Sequence, residues 1–549
     1  MMLKSPLQVA RGKYVPKMPK ILQGPVKLVE GDKTQSVADK EDIKRLFNNT
    51  YGMPILSLLP ASKEKSYPAI KVAVVLSGGQ APGGHNVISG LYDGLKRCNL
   101  ANRLYGFLGG PLGMVDNQIV ELTEDMVYHY RNTGGFDIIG SGRIKLEEES
   151  QYDKVIENCK KININALVII GGDDSNTNAA VLAEYFLKKK SGIQVIGVPK
   201  TIDGDLKNEV VETPFGFDTA CKVYSGLIGN IQRDANSSKK YFHFIRLMGR
   251  SASHIALECA LQTQPNIAII SEEVEQKNMS LDDVVKYITD IIMRRSIQGN
   301  NFGTVIIPEG LVEFIPAMKK LILELNDVLA KVKDKIDLIE GNRERRELVA
   351  KELSPESAEV FDSLPYSFAN DLIIDRDPHG NVLVSKIETE KLLLDMVTLR
   401  IKEKKKAGDF KGKFSAQPHF FGYEGRCASP SNFDADYCYT LGFTASILIS
   451  EGKTGYIASV KNMIKPAEEW LPGGAPITMM MNMEKRQGIM KPVIRKTLVD
   501  LKGKPFIELK EMRETWAMNT MYIYPGPIQY FGPPEVCDYS TQTLVLEKS

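Results

Sequence analysis

The sequence lacks several features that would fix a function class at once. Its seven cysteines are scattered and include no Cys-x-x-Cys pair. Neither a structural zinc site nor a disulfide framework is therefore expected, and a reducing cytosol is the natural setting. The six histidines show no metal-ligand spacing. No apolar run reaches the roughly 20 residues that a membrane-spanning helix needs. The opening MMLKSPLQVARGKYVPKMPK is basic but has no apolar centre, so it does not read as a secretory signal. A formal net charge of +2 over 549 residues gives no general attraction to nucleic acid or to an anionic membrane. Any anion site must be local. Internal repeats and low-complexity tracts are also absent.

What is present is a globular chain. The 43% hydrophobic and 25% charged fractions are ordinary, and the length suits two to four domains. AIKVAVVLSGG (69–79), NALVIIGG (165–172) and IQVIGVPK (193–200) are continuous apolar runs that end in glycine or proline. Amphipathic stretches such as NAAVLAEYFLKKK (178–190) separate them. Strands apolar on both faces belong to a parallel sheet covered by helices, and ligands then lie beyond the carboxyl ends of the strands. A second set of strands is expected in YFHFIRLMGR (241–250), NIAIISEE (266–273) and FGTVIIPEG (302–310). Between Phe314 and Leu353 the pattern is helical and heavily charged, as expected of a solvated amphipathic excursion. KEKKKAGDFKGK (402–413) reads as a solvated loop, and Met479–Met483 as core.

The turns carry the chemistry. SGGQAPGGHN (77–86) is a glycine-rich strand-to-helix turn of the kind that lets backbone N–H groups approach an anion. It lacks the Gly-Lys-Ser/Thr ending of a Walker loop and the dinucleotide-binding spacing. GGDDS (171–175) stands one strand on. One acid there is a sufficient helix cap, and two exceed that need. A carboxylate beside a phosphate site is reasonable when Mg²⁺ lies between them. PKTIDGDL (199–206) brings Lys200, Asp203 and Asp205 to a third strand end. Asp203 is a candidate base for an attacking hydroxyl, and Lys200 a candidate for the charge on a transferring phosphoryl group. MGR (248–250), PEG (308–310) and YEGR (423–426) add Arg and Glu beside glycine at further strand ends. Arg suits phosphate, and Glu suits sugar hydroxyls.

In this order SGGQAPGGHN, GGDDS, PKTIDGD, MGRSASH, PEG and YEGR resemble the phosphofructokinase family, over roughly residues 70–310 and 415–480. The pattern is most similar to its long-chain, pyrophosphate-dependent branch. The fold this implies is α/β, with two Rossmann-like three-layer α/β/α domains, an N-terminal extension and a helical insertion. The expected boundaries are 1–68 for the extension, and 69–220 plus 427–485 for a larger domain binding Mg-pyrophosphate. A smaller domain, 221–426, would bind sugar phosphate and contain the insertion at about 314–400. A C-terminal segment, 486–549, would pack on the core.

The resemblance implies reversible phosphoryl transfer from pyrophosphate to the 1-hydroxyl of fructose 6-phosphate. Asp203 would be the base, Lys200 the cation at the bridging oxygen, and Asp173 the Mg²⁺ ligand. Gly78 and Arg143 would contact pyrophosphate. Thr201, Ile202, Asp203, Met248, Gly249, Arg250, Glu309, Tyr423, Glu424, Gly425 and Arg426 would hold the sugar phosphate. Lys240 and Tyr241 would reach a neighbouring subunit's site, which implies a homodimer in the cytoplasm with no nucleic-acid or membrane partner. ATP-using relatives have glycine at the position of Asp174, so that residue is the expected donor selector. A carboxylate about 4 Å from a phosphate charge costs about 4 kcal/mol at an effective dielectric of about 20, roughly a thousandfold in binding, and a side chain also fills space that glycine leaves open. Gln80, Tyr241 and Tyr423 depart from the bacterial ATP enzymes and agree with the long branch. An ATP-dependent enzyme, a catalytically silent regulatory subunit and another Gly-Gly-Asp kinase remain as rival readings.

Overall fold

The computed structural model describes residues 5–549 except 337, 340, 375–381, 383–385, 487, 488, 529 and 531. Positions 1–4 of the expected extension and most of 375–385 in the expected insertion thus lie outside the described residues. The chain forms two compact units. The first comprises Met1–Val223, Tyr423–Thr497 and Ile528–Ser549, and the second Tyr224–Gly422 and Leu498–Pro527.

The strands, in chain order, are β1 Val26–Lys33, β2 Pro54–Pro60, β3 Lys71–Leu76, β4 Arg103–Phe107, β5 Ile119–Glu121, β6 Ala166–Gly171, β7 Gln194–Pro199, β8 Phe242–Leu247, β9 Ile267–Ala268, β10 Gly303–Pro308, β11 Ala416–Phe421, β12 Tyr456–Lys461, β13 Leu471–Pro476, β14 Met481–Arg486 and β15 Ile489–Ile494.

In the first unit nine strands form one sheet in the order β1-β2-β13-β12-β7-β6-β3-β4-β5. The central five, β12-β7-β6-β3-β4, are parallel, and the flanking strands are antiparallel. The parallel strands are the β-branched runs anticipated from the sequence, and both of their faces are covered. Ala73, Val75, Leu167 and Ile169 pack with Val155, Leu182 and Phe186 from the helices Glu149–Lys161 and Asp173–Lys188. The alternate residues Val72, Val74, Val168 and Ile170 are equally buried. They point to the opposite face by the two-residue period of a strand. The helices Gly84–Cys98 and Asn432–Ser450 serve that side.

These two helices meet at backbone distance because their contact positions are small. A Cβ on Gly90 would lie 2.0 Å from the Tyr439 carbonyl oxygen, and one on Gly442 2.0 Å from that of Val87.

The N-terminal region is part of this fold. β2 pairs with β13, and β1 pairs with β2 at the sheet edge. Lys27, Glu30, Asp32 and Lys33 make β1 a charged edge, which resists pairing with another chain. The chain crosses between units at 223/224 and 422/423, so Tyr423–Arg426 lies in the first unit rather than with the smaller one. The C-terminal segment is divided: 498–527 belongs to the second unit. There the buried Arg295 donates to the Ala517 carbonyl at 2.8 Å, and Arg513 grips Glu273 with both terminal nitrogens at 2.6 and 2.7 Å.

The second unit holds a four-stranded parallel sheet, β11-β8-β10-β9. Of NIAIISEE only β9 is strand, because a helix, Ser271–Gln276, takes up the acidic end. The insertion is helical: Pro316–Ile336, Asn342–Glu352, Pro355–Ser363, Tyr366–Ile374 and Thr389–Lys406. It is not a solvated excursion. Met318, Leu321, Leu325, Phe361, Phe368 and Leu372 join Val305 and Ile307 of β10 in one buried cluster. Arg246 of β8 pairs with Glu390 at 2.6 Å, with both side chains buried, and this ties the helix Thr389–Lys406 to the sheet. The lysines of KEKKK close that helix instead of forming a loop, where their charge complements the helix dipole.

Gly442→Ala should lower the stability of the first unit by about 1–3 kcal/mol, because two helix backbones must separate. Thermal unfolding monitored by circular dichroism checks this, with an exposed-helix Ala substitution as the control.

Candidate active site

The site of the first unit is assembled at the carboxyl ends of β3, β6 and β7. After β3 the chain turns through Gly78, whose φ of +84° favours glycine. Gly78 N–H donates to the Gly142 carbonyl at 2.8 Å, and the Ser141 hydroxyl donates to the Gly78 carbonyl at 2.7 Å. The Ser175 hydroxyl donates to Ser77 Oγ at 2.8 Å. The loops at 77–79, 141–143 and 171–175 are thereby locked together.

Three cations converge on this frame. A Cβ added to Gly79 would lie 2.8 Å from Arg426 Nη1 and 3.4 Å from Arg143 Nη2. One added to Gly78 would lie 3.3 Å from Lys200 Nζ. The guanidinium groups occupy space that only glycine leaves open. Arg426 Nε is buried and has no hydrogen-bond partner among the described residues. Lys200 is 6% exposed. Burial, followed by the like charge of Arg426, pushes its ammonium down to about 8, against the support of Asp203 and Asp173. Three converging positive groups with a buried, unsatisfied N–H make a site for an anion.

Opposite charges stand beside them. Asp173 and Asp174 open the helix Asp173–Lys188. Asn176 Nδ2 donates to the carbonyls of Gly171 and Gly172 at 2.6 and 3.0 Å and fixes the turn before them. Asp203 N–H donates to Thr201 Oγ1 at 3.1 Å, while the Ile202 side chain is buried and anchors the loop. Asp173 Oδ2 and Asp203 Oδ1 are both buried without a hydrogen-bond partner among the described residues. Burial, then the neighbouring Asp203 and Asp173, push Asp205 up to about 8 against the pull of Lys496.

Asp174 is paired with cations. Its Oδ1 lies 2.7 Å from Lys145 Nζ and 2.7 Å from Arg486 Nη1. Burial opposes its charge, but these two cations outweigh it and hold the carboxyl below its ordinary value. The simple repulsion expected at this position is therefore offset by paired positive charge. Lys496 Nζ lies 3.6 Å from Asp173 Oδ2.

Lys145, Asn176, Arg486 and Lys496 were not picked out from the sequence. Lys145 lies two residues beyond Arg143 in the same loop. Arg486 and Lys496 come from the C-terminal part of the chain, where nothing local distinguishes them from surface cations.

Tyr423, Glu424, Gly425 and Arg426 form a single helical turn. Arg426 joins the cation group, whereas Tyr423 is 64% exposed.

In the second unit Met248, Gly249 and Arg250 follow β8, and Glu309 follows β10. Gly249 N–H donates to Glu309 Oε2 at 2.9 Å, and Glu309 N–H donates to the Leu247 carbonyl at 3.1 Å. A Cβ on Gly310 would lie 2.0 Å from the Arg250 carbonyl oxygen. The MGR and PEG turns are thus interlocked. Lys240 and Tyr241 sit at the other end of β8. Six strand residues at about 3.3 Å each separate them from Met248 by roughly 20 Å, so the unit does not bring them to the same place.

Among the described residues no helix is long and apolar enough to cross a membrane. The phosphofructokinase family model matches residues 71–364. The chain is 60% identical to a pyrophosphate–fructose 6-phosphate 1-phosphotransferase of Porphyromonas gingivalis, with all of both chains covered. It is 53% identical to the protein of that name from Treponema pallidum, covering 99% of this chain and 97% of the relative. The solved pyrophosphate-dependent phosphofructokinase of Nitrosospira multiformis matches at TM-score 0.54 and 16% identity, covering 86% of this chain and 97% of that one, a likeness of fold. The family match over more than half the length and the full-length relatives agree with the resemblance read from the motifs: the chain belongs to the phosphofructokinase family.

Proposed function

We propose that the chain catalyses reversible transfer of a phosphoryl group from pyrophosphate to the 1-hydroxyl of fructose 6-phosphate. Fructose 1,6-bisphosphate and orthophosphate are the products. The observation that carries the reading is the convergence of Lys200, Arg143 and Arg426 on Gly78-Gly79, beside the buried, unpartnered Asp203 Oδ1. The names of the full-length relatives support the same reaction.

Asp203 accepts the proton of the attacking hydroxyl. The hydroxyl oxygen bonds to one phosphorus, and the bridging P–O bond breaks. Lys200 neutralises charge on the departing orthophosphate, and Arg143 and Arg426 hold phosphate oxygens. Gly78 lets the backbone come close. Positioning and charge stabilisation supply most of the rate in such transfers.

Mg²⁺ fits the site. Asp173 Oδ2 is a buried carboxylate oxygen without a hydrogen-bond donor among the described residues. An ion that takes one or two carboxylates plus phosphate oxygens suits that donor set. When bound, it supplies polarisation of the phosphoryl oxygens.

In the first unit Thr201, Ile202, Tyr423, Glu424 and Gly425 serve the sugar phosphate, whereas Arg426, expected to do the same, stands over Gly79 on the donor side. In the second unit, Met248, Gly249, Arg250 and Glu309 offer the backbone, cation and carboxylate that a sugar phosphate requires. The position of Lys240 and Tyr241, at the far end of β8, supports a homodimer in which they complete a neighbouring site. All seven cysteines are free thiols, which supports a cytoplasmic setting.

Initial rates with each donor and each acceptor test the reaction. Turnover is expected with pyrophosphate and fructose 6-phosphate, and turnover with ATP alone would overturn the proposal. Asp203→Asn should lower kcat by about 10²–10⁴-fold, the usual range for a lost general base, with little change in KM. Because Lys200 loses its positive charge above about pH 8, kcat/KM for pyrophosphate should fall as pH rises through that value. Lys200→Met should remove this limb of the profile and cost about 10²–10³-fold, as expected for losing an electrostatic stabiliser.

A further inference from the structure

The C-terminal hairpin meets the acidic pair at the start of the helix Asp173–Lys188, and its cations are aimed. Arg486, the last residue of β14, donates from Nη1 to Asp174 Oδ1 at 2.7 Å. Its other nitrogens face the Glu484 carboxylate, Nη2 at 3.2 Å and Nε at 3.4 Å, which orients the guanidinium. Two further contacts follow along the same helix. Ile494 N–H donates to Thr177 Oγ1 at 3.0 Å, and Lys496 lies 3.6 Å from Asp173. Val493 and Ile494 are buried, with Ile494 packed in the core beside Met480 and Met481. The described residues of β14 and β15 thus lie along the first turns of the helix that carries the donor-site acids.

A half-exposed ion pair by itself contributes little, about 0–1 kcal/mol. This one differs in its setting. Asp174 Oδ1 accepts from two cations at once, Lys145 and Arg486, so the group Asp174, Lys145, Arg486 and Glu484 has no net charge. A bare carboxylate at this position would repel pyrophosphate as well as a nucleotide. A neutral bridge repels neither and still fills space.

We propose that Arg486 is a specificity-determining and positioning residue. Through its bridge to Asp174 it closes the donor site against any phosphate chain longer than a diphosphate, nucleoside triphosphates included. This rests on the pyrophosphate reading above. Arg486 acts through Asp174, and it selects donors by occupied volume rather than by negative charge.

The test compares the wild type with Arg486→Ala, Arg486→Gln and Arg486→Lys, each checked for an unchanged thermal unfolding midpoint. Inorganic tripolyphosphate and ATP are measured as competitive inhibitors or donors against pyrophosphate, and the readout is the ratio of their inhibition constants to the KM of pyrophosphate. In Arg486→Ala the ratio should fall at least tenfold for both compounds, and Arg486→Lys should restore most of it. If the Ala variant does not fold, Arg486→Gln gives the same ratio. A ratio unchanged in a folded variant would sink the inference, because a merely structural ion pair alters stability without altering donor choice. A fall for ATP alone, with tripolyphosphate unchanged, would also overturn it, since the bridge would then act on the nucleoside. Wild type that turns over no pyrophosphate would instead overturn the functional reading itself, which separates the two failures.

Discussion

The approach of two guanidinium groups to a backbone that carries no Cβ is the contact on which the proposed site depends. Arg426 and Arg143 stand over Gly79, and Lys200 stands over Gly78. Each comes from a different segment: Lys200 follows β7, Arg143 lies in the loop before the helix Glu149–Lys161, and Arg426 ends the helical turn Tyr423–Arg426. The parallel order β7-β6-β3 sets the turns that follow these strands side by side as the frame on which the cations meet. The hydrogen bonds among Ser77, Gly78, Ser141, Gly142 and Ser175 then hold the loops in register. Burial first, and then the like charge of Arg426, lowers the proton affinity of Lys200. The polyanion of the proposed reaction would restore the favourable environment of that charge.

The donor side has a different balance. Asp173, Asp174, Asp203 and Asp205 bring four carboxylates to the proposed phosphate site, and Lys145, Arg486 and Lys496 bring cations to meet them. Asp174 is therefore part of a paired group. Its proposed effect on donor choice lies in the volume that the carboxylate and its partners occupy. This revises the repulsion argument drawn from the sequence, which treated a charge of one sign without its neighbours.

Much of the fold was legible in the sequence because fully buried parallel strands are continuous apolar runs. VAVV, ALVII and QVIGV needed no alternation to be recognised. β1 and β2 escaped because β1 is a charged edge strand and β2 buries only Leu56 and Leu58 along its length. The insertion was seen as helical, but its burial was not. Charge on the outer faces of its helices outweighs the apolar stripe in composition, although Met318, Leu321 and Leu325 reach the core. Gly78, Asp173, Lys200, Asp203 and Arg426 could be singled out as candidates because each lies in a motif expected at a strand end. Arg486 and Lys496 were not, because a cation brought more than 300 residues along the chain to an acidic turn leaves no local signature. The placement of 498–527 in the second unit is equally invisible from a segment read as C-terminal packing.

The central claim is that open space above Gly79 lets Arg426 and Arg143 bind the donor. Gly79→Ala addresses it directly, because the added methyl meets the tip of a flexible side chain and leaves the fold intact. Calorimetric titration of pyrophosphate with Mg²⁺ into this variant is the measurement. The account predicts a dissociation constant at least tenfold weaker than that of the wild type, with an unchanged unfolding midpoint. Wild-type affinity in a folded Gly79→Ala protein would contradict it.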